Sequence, residues 1–200
     1  MKPIKKRGQF WYMDFIMAII IISIISLIFV KTVIGMTQTK NLTEGLLIEA
    51  QEISQNLIAV GEPTDWNTHS EWWDDPSVKQ LGLTDGNKRF NLDKLRKLGD
   101  GTLTDQNYAK AQLRLGTNKH FYVYLNDRSI IYPAPGHTGA GKLHVDNDDG
   151  GWTTVTEVRD EIETRVQNKE IKQIIEFNRL VFVDDTYDRI LRMTVLVWTE

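Results

Sequence analysis

Sixteen consecutive residues, Phe15 to Val30, carry no charge, and most of them are Ile or Leu. With the flanks Phe10–Met13 and Thr32–Met36, the stretch exceeds the roughly 20 apolar residues that a helix needs to cross a bilayer core. Only Asp14 and Lys31 interrupt it. Lys31 stands near the far end, where a long ammonium side chain can reach back to the interface. Trp11 and Tyr12 stand at the near end, where interfacial aromatics belong. Lys2, Lys5, Lys6 and Arg7 precede the run, and only Lys31 and Lys40 follow closely. The positive-inside rule therefore puts the N-terminus in the cytoplasm and residues 37–200 outside. A cleaved secretion signal has an apolar core of about 7–15 residues ending in small residues. This run is longer, and no such site follows Val30. A retained plasma-membrane segment, single-pass, is the expectation.

The rest of the chain is different in kind. Mean hydropathy is −0.33 despite the apolar run, so the remainder is distinctly polar. Of 24 basic and 27 acidic residues, five basic and one acidic lie at or before Met36. That leaves 19 and 26, a balance of −7. Phosphate binding requires clustered Lys and Arg, so no nucleic-acid partner is expected. The chain has no cysteine, which rules out a disulfide framework and thiolate zinc sites.

The segment "KKRGQ", then aromatics, an acid and a long Ile/Leu run, resembles the N-terminus of type IV pilin-like proteins, especially archaeal ones with the class III type of signal. The resemblance implies cleavage by a prepilin-type signal peptidase between Gly8 and Gln9. It implies retention of the apolar segment as a stem helix, with an acid near the new N-terminus pairing with a neighbouring subunit's terminal amine. Asp14 is the residue available for that assembly role. It is the sixth mature residue, whereas the family usually has Glu at the fifth, here Met13.

Beyond Met36 the helical pattern continues. Leu46, Ala50, Ile53, Leu57 and Val60 follow one face of a helix, and Gly61 with Pro63 is a stop signal. A continuous helix from Phe10 to Val60 would be about 75 Å long at ~1.5 Å per residue. The alternative is a membrane helix, a linker at "TQTKN" and a separate first helix of an outer domain, with Gly35 and Gly45 as break points. Asn41-Leu42-Thr43 is an N-glycosylation acceptor just past the expected boundary.

Residues 62–118 read as loops and short helices. Trp66, Trp72 and Trp73 sit among turn residues, either as an exposed recognition cluster or as loop aromatics packed on a core. A short helix begins after Asn91, with Leu92, Leu95 and Leu98 on one face and Gly99 as its end. A second begins after Thr104, with Tyr108, Ala111 and Leu115 as its apolar face and Gly116 as stop. From His120 the period becomes two. One hairpin is expected with Phe121, Val123 and Leu125 on one face and a turn at Asn126-Asp127. A second should use strands near Leu180–Val183 and Ile190–Trp198. Residues 158–177 fit a helix or a strand. Helices first and sheet last make an α+β fold. The series from Val78 to Leu125 and the closing strands are also similar to archaeal pilin-like surface proteins, whose heads lay an antiparallel sheet against the distal stem.

The sharpest local pattern is "DNDDGGWTTVTE". As a 12-residue calcium loop it offers Asp146 first, Asp148 third, Gly151 sixth and Glu157 last. Its fifth position, Gly150, has no side-chain oxygen, and no helix leads into it, so an acidic surface turn is the plainer reading. His137 and His144 are poorly spaced for zinc. There is no G-x-S-x-G, and Gly136–Lys142 lacks the Ser or Thr that a phosphate loop requires. The chain is read as a non-enzyme that needs no cofactor, calcium aside. The expected plan is a basic cytoplasmic leader at 1–8, a transmembrane helix at 9–36, a distal stem at 37–61 and an extracellular head at 62–200. The expected function is structural, as a filament subunit or minor pilin that self-assembles or joins other pilins. The alternative is a membrane-tethered sensor or ligand-binding domain that never polymerises.

Overall fold

A computed structural model describes residues 7–86, 89–102, 104–127, 130–132, 139–143, 155–183 and 189–200; of residues 7–11, 38, 39, 41, 101 and 130–132 it describes the backbone alone. The chain divides into two compact units, Met1–Glu44 and Gly45–Glu200. Helix α1 runs Arg7–Ile58 and is helical at both Gly35 and Gly45, so neither glycine breaks it.

The first unit is helix throughout its described residues. From Tyr12 to Thr37 only Ile16 is half-buried, and every other side chain is exposed.

The second unit has three layers. Its sheet is antiparallel, in the order β2-β1-β5-β4, from β1 His120–Asp127, β2 Ile130–Tyr132, β4 Gln173–Val183 and β5 Arg189–Thr199. A two-residue strand, β3 Ala140–Gly141, also pairs with β1. β1 and β5 are central, and Tyr124 lies opposite Thr194. Phe121 through Leu125 are buried on both faces, as a strand covered on each side must be.

One face packs against α1, α2 Leu92–Gly101 and α3 Asp105–Leu115, through Leu46, Ala50, Ile53 and Leu57 of α1 and the leucines of α2. The spacing seen in the sequence from Leu46 to Leu57 is therefore a core stripe. The other face is covered in part by α4 Val155–Gln167, whose Val158 and Ile162 meet Tyr122, Tyr124, Leu196 and Trp198. The ambiguous stretch is thus both things in turn: helix to Gln167, strand from Gln173.

The caps explain the short helices. Asn91 accepts from the Asp93 and Lys94 amides, and Thr104 from the Asn107 amide. Gly116 ends α3 with φ 73°, the left-handed conformation that glycine adopts without strain.

Four expectations need correction. Gly99 does not end α2, which runs on to Gly101; a Cβ on Gly99 would meet the Gly139 carbonyl oxygen at 2.8 Å, so its smallness admits another backbone. The first hairpin does not turn at Asn126-Asp127. Both residues are in β1, paired with Ile131 and Ile130, because pairing with β5 extends as far as Asn126. β4 begins at Gln173, not near Leu180, since all eleven of its residues pair with β5. The stem helix stops at Ile58, short of Gly61, because the next segment turns to strand-like contacts: the Leu83 amide donates to the Leu57 carbonyl and Val60 bridges Thr84.

Candidate functional site

Among the described residues one helix is long and apolar enough to cross a membrane, and it lies near the N-terminus. Three of its hydroxyls bond within the helix. Ser23 donates to the Ile19 carbonyl (2.8 Å), Thr32 to Ile28 (2.9 Å) and Thr37 to Val33 (3.0 Å). Each hydroxyl thus has an acceptor four residues back on its own helix, so an apolar environment would strand none of these donors. Gly8 and Gln9 stand in the first turn of α1. Asp14, in the second turn, is exposed and has no hydrogen bond or ion pair among the described residues. The backbone at Asn41 is helical.

The acidic loop is the other candidate from sequence. Asp146 and Asp148 lie outside the described residues, as do His137 and His144. Glu157 is in the first turn of α4, where a carboxylate complements the positive end of the helix dipole. Among the described residues no three His, Asp or Glu side chains converge on a metal position.

The tryptophans answer to packing. Trp66 and Trp72 are fully buried, edge to face with centroids 5.3 Å apart. The Trp66 indole donates to the Gly82 carbonyl (2.8 Å) and that of Trp72 to the Lys97 carbonyl (3.2 Å). Trp73 is half-buried beside them. They hold the 62–84 loop against the core and present no exposed stacking platform.

Three features were not singled out in the sequence. At an open cleft of about 350 Å³, His69 Nδ1 lies 2.5 Å from Asp75 Oδ2. The Ser77 hydroxyl and amide both bond Asp75 Oδ1 (2.6 and 2.8 Å). The Ser77 hydroxyl, His69 and the Ser77 amide favour the carboxylate and hold its pKa down at about 2. Arg114 ties this loop to α3 through the Trp73 and Asp75 carbonyls (3.1 and 2.8 Å). Second, the buried Lys94 ammonium donates to the Thr84 carbonyl (2.9 Å), and burial lowers its pKa against the opposing pull of Asp85 and Asp65. Third, His120 stacks on Tyr108 (6.0 Å) and Trp198 (5.8 Å), with Nε2 3.4 Å from Glu200; burial lowers its pKa too. The Tyr108 hydroxyl accepts the Phe121 amide at 2.8 Å, so that ring is fixed as part of the α3–sheet contact.

In the first of these, among the described residues, the Ser77 hydroxyl meets only Asp75, a weak base with its pKa held at about 2, and the His69 ring meets the other carboxylate oxygen rather than Ser77. The visible work of all three is to pin loops and helices. Lys94 and His120 meet partners that only folding brings together, whereas the first cluster had a local signal that was missed: Asp75-Pro76-Ser77, in which an Asp accepts from the amide two residues on. No family model, no curated protein and no solved structure matches this chain.

Proposed function

We propose that this chain is a type IV pilin-like surface protein. The apolar part of α1 holds it in the membrane and assembles with like stems, and the Gly45–Glu200 unit stands outside. The observation that carries the reading is the near-continuous exposure of α1 from Tyr12 to Thr37, Ile16 alone being half-buried. Apolar surface of that extent requires a cover, and lipid or neighbouring stems supply it. Cleavage between Gly8 and Gln9 creates a terminal amine five residues before Asp14. Pairing with the amine of an adjacent stem gives that carboxylate the counter-charge it needs at the edge of a membrane. The reading agrees with an α+β unit whose antiparallel sheet packs on the distal part of α1.

One observation favours the non-polymerising alternative: Asp14 is one residue later than the family's acid. Two measurements separate the readings. N-terminal sequencing of the protein from its own membranes should begin at Gln9, and an intact Met1 sinks the processing step. Electron microscopy of sheared surface material should show filaments containing this chain, lost in Asp14→Ala. Recovery only as a detergent-soluble monomer, with Gln9 as its first residue, leaves the tethered reading standing.

A further inference from the structure

The free edge of β4 forms one wall of a groove of about 440 Å³, facing Ile58, the last residue of α1, and Val60 just beyond it, with Phe90 beside it. Arg179 is the one charged side chain among the described residues lining it. It is half-buried and has no hydrogen bond or ion pair among the described residues. It is not needed to close α1. The Leu57 carbonyl accepts from the Leu83 amide, that of Ile58 from the Thr84 hydroxyl and that of Ala59 from the Thr84 amide.

The edge itself is partly used. The Phe90 amide donates to the Phe182 carbonyl at 2.6 Å, which fixes the direction in which the backbone groups of Phe182 point: away from β5. Strand geometry repeats every two residues, so the amide and carbonyl of Leu180 point the same way, into the groove. On the outer sheet face Leu180 and Phe182 are 71% and 61% exposed, and Ile190, opposite Phe182, is 56% exposed. Arg179 and Val181 occupy the other face, Val181 being buried. Groove, open backbone groups, apolar patch and unpaired cation are therefore contiguous.

We propose that this edge binds an extended peptide strand of another protein by β-addition. The strand carries apolar side chains over Leu180 and Phe182 and an acidic side chain on the alternate face against Arg179. A second copy's β4 is the poorer occupant. On the Arg179 face it offers Gln173, Ile175, Phe177, a second Arg179, Val181 and Val183, with no carboxylate. The proposal does not depend on whether the stem is cleaved or polymerises.

The test uses the full chain in detergent micelles and the fluorescein-labelled peptide GVTVEVG, read by anisotropy. Saturable binding is expected, weakened about tenfold or more when the glutamate is replaced by lysine, and equally in Arg179→Gln. Leu180→Pro removes the edge amide, and proline is tolerated in a strand where its nitrogen faces away from the ladder. It should keep the thermal midpoint and lose binding. If it lowers the midpoint, Arg179→Gln and the lysine peptide decide. Absence of binding, equal binding of the lysine peptide or binding indifferent to Arg179→Gln overturns the proposal. So does a concentration-dependent dimer abolished by Leu180→Pro, which would make the occupant a second copy.

Discussion

Leu57 and Leu47 lie on one helix ten residues apart and face opposite fates. Leu57 is fully buried within the main core, whereas Leu47 is 46% exposed. Truncating Leu57 to Ala removes three buried carbons from a site walled by helix and sheet, and the lost transfer energy plus the residual cavity costs about 2–5 kcal/mol. Leu47→Ala leaves no cavity and stays within about 0.5 kcal/mol. For a unit of this size each kcal/mol moves the midpoint by roughly 2–4 °C, so a loss of about 3 kcal/mol lowers it by about 6–12 °C. Near-UV circular dichroism of the full chain in detergent reads the transition, because Trp66, Trp72 and Trp198 are all buried in the unit that melts. Equal midpoints for the two variants would refute the claim that the distal part of α1 is core, and with it the account of the Leu46–Leu57 stripe.

Two pH dependences follow from the charged groups. The Asp75 pKa lies below its unfolded value of 3.8, so its stabilising contribution is present above pH 3.8 and is lost as pH falls towards about 2. Between pH 4 and 2, urea midpoints should fall more steeply for the wild type than for Asp75→Asn, and parallel profiles would count against the His69–Asp75–Ser77 cluster. Lys94 is shifted the other way: its folded pKa lies below the unfolded 10.5. Between those values the unfolded chain holds a proton that the native chain has released, so stability rises with pH across that window. As pH rises towards 10.5 the wild type should gain on Lys94→Met, and a constant gap between them would count against the lowered pKa.

What the sequence determined by itself was whatever depends on neighbours along the chain. A charge-free run is apolar on every side whatever it packs against, so the length and exposure of the first part of α1 were legible without a fold. So were the Leu46–Leu57 stripe and the Asn91, Thr104 and Gly116 caps, each set by spacing of three or four residues. Tertiary structure decided what depends on distant partners. Gly99 reads as a stop, yet it is a gap for the Gly139 backbone forty residues later. Asn126 and Asp127 read as a turn, yet β5 supplies the pairing that keeps Asn126 extended and β2 the partner of Asp127. Three tryptophans in a polar loop are compatible with a platform or a plug, with the plug the commoner case, and the Gly82 and Lys97 carbonyls that receive the Trp66 and Trp72 indole protons decide for plug. The β4 groove left no trace in sequence, because a strand's free edge is defined by the strands that do not lie beside it.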